Sequence, residues 1–109
     1  MLPINFDTVK DNFLKGLTPL AENLFGDLRN LAMNDGMELW DEIRTDLDRR
    51  TQLLAEGKLT REEFDALLKM QAGRIEMHAL TAAGLAAARI QRFRTGLISL
   101  LINSVRLAL

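Results

Sequence analysis

The chain has no cysteine, which excludes disulfides, thiolate metal sites and cysteine nucleophiles. It has one histidine, His78, so the paired Glu-x-x-His ligands of di-iron helical bundles cannot be built. Neither of its two prolines lies beyond Pro19. No apolar run approaches the roughly 20 residues that a membrane-spanning helix needs. The longest uncharged stretch near the C-terminus, Thr95 to Val105, is held between arginines. The first residues, Met1 to Asp7, lack a basic segment followed by an apolar one, and they do not read as a secretory signal. Phosphate-loop, dinucleotide-binding and zinc-protease patterns are missing.

Acidic residues are also missing from one part of the chain. All 15 lie at or before Glu76. Ten basic residues share that stretch, giving it −5, whereas residues 77–109 hold Arg89, Arg92, Arg94 and Arg106 alone and sum to +4. Such asymmetry can signal a membrane or nucleic-acid partner. The plainest expectation is an acidic neighbour, within the chain or in another copy. Four arginines beside an acidic body give little attraction for phosphate, so no nucleic acid is expected as a partner.

At 109 residues the chain is read as a single domain, and 48 % hydrophobic with 27 % charged residues is the composition of a folded globular chain. Phe6, Val9, Phe13, Leu17, Leu20, Leu24, Leu28 and Leu31 recur at steps of three and four, the stripe of an amphipathic helix. Gly16 and Thr18-Pro19 divide that stripe, because proline removes a helical hydrogen bond yet suits a first helical position. Asn34-Asp35-Gly36 is read as a second punctuation. Trp40, Ile43, Leu47 and Leu54 then form a narrow apolar seam on a charged helix, with Asp46 and Arg50 spaced to pair.

The strongest local signal is Gly57-Lys58-Leu59-Thr60-Arg61-Glu62-Glu63-Phe64. Gly57 suits a helix C-terminus, Thr60 and Glu63 have capping-box spacing, and Leu59 and Phe64 occupy the two staple positions. The string resembles the Gly-x-x-Thr-x-x-Glu-Phe turn of small bacterial helical-hairpin modules such as the SHOCT domain. That resemblance covers about twenty residues and implies a helical hairpin there, without a function. Beyond Thr60, Phe64, Leu67, Leu68, Ile75, His78, Ala82, Leu85 and Phe93 continue one stripe, interrupted only by Gly73, Gly84 and Gly96.

The expectation is therefore all-α, with helices over about 6–15, 19–34, 37–56 and 60–107. Two architectures fit: a long helical hairpin, or a small helical bundle with an extended C-terminal helix.

His78 lies on the apolar stripe and is expected in a core or interface, two residues from Glu76 and pointing away from it. Arginines interleave with Glu38, Asp41, Glu42, Asp46 and Asp48, so this acidic run reads as a solvated helix face. The small residues from Ala79 to Ala88 read as a tightly packed helical segment. The tail is the most informative region. On a helix, Arg92, Thr95, Ser99, Asn103 and Arg106 share a narrow strip, while aliphatic residues fill the remaining arc apart from Arg94. Phe93, Leu97, Leu100, Leu101 and Val105 are the candidate interface, since an arc this broad calls for cover.

These features describe a non-enzymatic structural or assembly module with no cofactor and no metal. It would self-associate through its apolar C-terminal helix, as a homo-oligomer or within a larger helical assembly. The alternative is a peripheral membrane-binding protein that lays the arginine-bearing amphipathic helix 85–109 on a membrane surface.

Overall fold

The computed structural model describes residues 4–109, and among them every regular element is helical. The reading of Met1 to Pro3 lies outside the described residues. The order is α1 (Phe6–Phe25), a 3-10 turn (Gly26–Leu28), α2 (Arg29–Ala55), α3 (Arg61–Gly73), α4 (His78–Ala82) and α5 (Ala87–Ala108).

Asn5 caps α1, its side chain accepting from the Asp7 N–H at 3.0 Å. Val9, Phe13, Leu17, Ala21 and Phe25, four apart throughout, form its buried face. The expected break at Thr18-Pro19 does not occur. Pro19 is exposed, and so is Lys15, whose carbonyl the missing N–H leaves without a helical partner. The proline thus lies on the solvent side of the helix, where a lost hydrogen bond costs least, and the helix runs through. It stops at Gly26, where φ is +52° and an L side chain would be strained.

Asn34-Asp35-Gly36 is likewise not a turn but lies within α2. Both unusual residues answer distant parts of the chain. The Asp35 carboxylate is buried and accepts from the backbone N–H groups of Ala79 and Leu80, each at 2.8 Å. Gly36 lies beneath Leu17, where a Cβ would stand 2.7 Å from Leu17 Cδ1.

The turn after α2 combines two devices. Lys58 N–H donates to the Leu53 carbonyl and Gly57 N–H to that of Leu54, with Gly57 at φ +73°, a Schellman ending. Thr60 Oγ1 accepts from the Glu63 N–H at 3.1 Å, and the Glu63 carboxylate accepts from the Thr60 N–H at 3.0 Å. The backbone hydrogen bond from Thr60, followed by the contact with its side chain, holds the Glu63 carboxyl below the ordinary glutamate pKa. A folded value below the unfolded one contributes stability above the unfolded pKa, about 4.3, and that contribution is lost as pH falls through the lower folded value. Thr60→Ala is expected to lower the unfolding free energy by about 1 kcal/mol in urea titrations, and Thr60→Ser by much less. Glu63→Gln should differ from wild type more at neutral pH than at pH about 3.

The single helix expected over 60–107 is three helices. A continuous helix of that length would extend about 70 Å, leaving most of its apolar face uncovered. The chain instead leaves α3 after Gly73 and turns again at Gly84, where φ is +76°. Met77 and Leu80 from the short connection plug the core, which lets α5 return along α3.

The four long helices sit at the corners of a square. α1 packs on α2 and α5, and α3 packs on α2 and α5, while α2 and α5 occupy opposite corners. Neighbours are antiparallel: Asn12 Nδ2 donates to the Ser104 carbonyl, Gly16 faces Leu100, and Leu20 faces Gly96. The result is an up-down-up-down bundle measuring 46 × 23 × 18 Å. Trp40 is stacked on Phe13 and Phe6 with centroids 5.1 and 5.4 Å away. Phe25 meets Phe93 edge-on at 5.2 Å. Thr51 is a flaw in this interior: its hydroxyl is buried with no hydrogen-bond partner. Thr51→Val keeps the shape, removes the stranded polar atom, and is expected to raise the urea midpoint, by about 1 kcal/mol in stability.

Candidate functional site

The residues expected at an intermolecular contact lie inside the chain. Phe93, Leu97, Leu101 and Val105 are 0 % exposed, and Leu100 is half-buried over Gly16. The expectation took this apolar arc to be too broad to be covered within the chain. Glycine removes that limit. Gly16 receives Leu100, and Gly96 receives Leu20, whose Cδ1 stands 2.9 Å from where a Cβ would be. The backbones of α1 and α5 approach closely enough for α1, helped by α3, to cover the arc. The arc that would enter a membrane surface is turned inward by the same packing. None of the described helices is long and apolar enough to cross a membrane.

Two of the four arginines of the basic tail are committed to backbone carbonyls. Arg89 donates through Nε and Nη2 to the Leu24 carbonyl at 3.0 and 2.7 Å, and its guanidinium lies 5.3 Å from the Phe25 ring centroid. Arg94, the one charge in the apolar arc, donates through Nη1 to the Ala72 carbonyl at 3.0 Å and to those of Gly73 and Ile75. Both arginines thus sit at the C-terminal ends of helices, α1 and α3, where the helix dipole favours a cation. Arg106 reaches Asp65 at 3.4 Å. Arg92 has no ion-pair or hydrogen-bond partner among the described residues.

Other expectations need correction. His78 is not in a core: its side chain is 64 % exposed, and Nδ1 lies 3.6 Å from the Glu76 carboxylate. Residues 74–77 are non-helical, which shifts the phase so that Met77 is buried instead, and in an extended segment side chains two apart share a side. The small residues of 79–88 are mostly exposed, forming a short helix and a turn rather than a packed face. Asp46 and Arg50 are joined through Gln71, which donates to Asp46 and accepts from Arg50, while Asp46 pairs with Arg49 at 3.0 Å.

What remains outward on α5 is the polar strip. Thr95, Ser99, Asn103 and Arg106 border an open groove of about 500 Å³ between α5 and α3. Ile98 and Ile102, both half-buried, form its apolar floor, and Asp65 and Lys69 of α3 complete the rim. Sequence reasoning found the strip but missed the groove, because its second wall comes from α3. No group of three or more carboxylates and imidazoles suited to a metal ion occurs among the described residues. Comparison with family models, with characterised proteins and with solved structures finds no match for this chain.

Proposed function

We propose that this chain is a non-enzymatic structural module that self-associates, with the outer face of its C-terminal helix as the contact surface. One observation carries the reading: the α3–α5 groove has the anatomy of an interface, with an apolar floor of Ile98 and Ile102 inside a polar rim. The rim is charged, Lys69 and Arg106 beside Asp65, so an occupant needs charged groups of its own, and a copy of the same chain carries them on its surface. Two half-buried isoleucines make a small apolar centre, which suits a weak, reversible association. Light scattering over a concentration series tests this. The expected result is a mass that rises above 12.3 kDa as concentration increases into the high micromolar range. Ile98→Asp with Ile102→Asp should hold the mass at that of the monomer while the helical circular dichroism persists. A wild-type chain that stays monomeric throughout defeats the proposal.

A further inference from the structure

We infer that the copy seated on the α5 face presents its α2 face, so that the chains associate head to tail. The inference rests on the self-association reading and specifies its geometry. The bundle carries different charge on opposite corners. Around the α5 strip, Arg92 and Lys69 are exposed cations and Arg106 is a third, 50 % exposed, against Asp65, the single acid that lines the groove. No acid lies anywhere on α5. On α2, Glu38, Asp41 and Glu42 are exposed within five successive positions and none forms an ion pair among the described residues; of the exposed arginines beside them, Arg49 is paired with Asp46, so these acids outnumber the remaining Arg44. Because α2 and α5 are diagonal in the square, these two surfaces point away from each other. They cannot neutralise one another within one molecule.

Two complementary patches on opposite sides of one chain define a heterologous contact. An α5-to-α5 contact would set Arg92, Lys69 and Arg106 against their own copies, at an electrostatic penalty. An α2-to-α2 contact would do the same with three acids. Placing α5 on α2 relieves both. It leaves a free patch of each kind at the two ends, so further copies can add. Exposed charges contribute little binding energy singly, so their effect is on orientation, encounter rate and salt sensitivity.

The test uses charge reversal on each patch and a mixture. Arg92→Glu with Arg106→Glu alters the α5 patch. Glu38→Lys, Asp41→Lys and Glu42→Lys together alter the α2 patch. Each variant alone is expected to associate at least about tenfold more weakly than wild type in low-salt sedimentation or light scattering. An equimolar mixture of the two should recover association, because each altered patch then finds its complement on the other protein. Wild-type association should weaken between about 50 and 500 mM salt. If the α2 variant associates as wild type does, or the mixture stays dissociated, the head-to-tail geometry is overturned while self-association stands. A monomeric wild type overturns both. Circular dichroism checks folding, and if either multiple variant loses its helical signal, Arg92→Glu and Asp41→Lys alone, with the wild-type salt series, decide by the same criteria.

Discussion

Replacing Leu97 and Leu101 together by aspartate is expected to unfold the chain. Both leucines are fully buried on α5, facing the centre of the square. Truncating a buried leucine costs about 2–5 kcal/mol before any charge is considered. Each carboxylate also has to be stripped of water or protonated, at several kcal/mol more without a partner. Two such sites exceed the whole stability of an ordinary domain, about 5–15 kcal/mol. Far-UV circular dichroism at room temperature should show loss of most helix, with no cooperative melt. A contact with another chain at these leucines predicts the opposite, a smaller particle with its helices intact. The outcome therefore tells whether α5 is the spine of the bundle or a detachable arm.

Asp35→Ala is expected to be the most damaging single polar substitution, lowering the urea-derived stability by about 3–5 kcal/mol. The carboxylate accepts two hydrogen bonds, from Ala79 and Leu80, and sits at the start of α4, where the helix dipole favours an anion. A hydrogen bond to a charged group contributes about 1.5–3 kcal/mol, and an orphaned buried N–H costs about 1–3 kcal/mol. Alanine removes the acceptor and leaves both N–H groups without it. Asp35→Asn keeps one acceptor oxygen but turns an amide N–H toward a donor, so it should fall between wild type and alanine. Hydrogen exchange gives a sharper reading: protection of the amides of 78–82 should fall further than that of α1. Equal loss across the bundle would mean that Asp35 does not act locally on the connection.

Local devices were legible in the sequence where several agreed. The turn at 57–60 could be read because Gly57, Thr60, Glu63, Leu59 and Phe64 act within a few residues of one another, and the structure has the Schellman ending and the capping box there. Periodicity also read the inward faces of α1 and α2, from Val9 and Phe13 to Ile43 and Leu47. Several of the misreadings share one cause. Asp35 and Gly36 look like turn residues but are set by contacts with 79–80 and with Leu17, more remote in sequence than any local rule reaches. The true reversal at 26–28 is signalled by Gly26 alone, among residues whose spacing continues the helical stripe. Gly16 looked like a breaker and is a docking notch. In the candidate site, Thr95, Ser99, Asn103 and Arg106 could be placed on one face, but Asp65 and Lys69 across from them depend on how α3 folds back. The roles of Arg89 and Arg94 were hidden because their acceptors are backbone carbonyls, which every residue carries.

The seam between α1 and α5 also sets an order of events. Asn12 and Ser104, joined across it, are 92 residues apart in the chain. The α2–α3 hairpin closes over a five-residue turn and can form early, since short loops close at small entropic expense. The first helix has no such shortcut to its main partner. During synthesis it emerges before α5 and waits for that helix's twenty-two residues before Gly16 and Leu20 meet Leu100 and Gly96. Until then one side of its apolar stripe is open, a state in which newly made chains are vulnerable to mispairing. Folding is expected to be slower than for a bundle whose strongest packing joins successive helices, and nonsense truncations within α5 should yield chains that aggregate rather than shortened bundles.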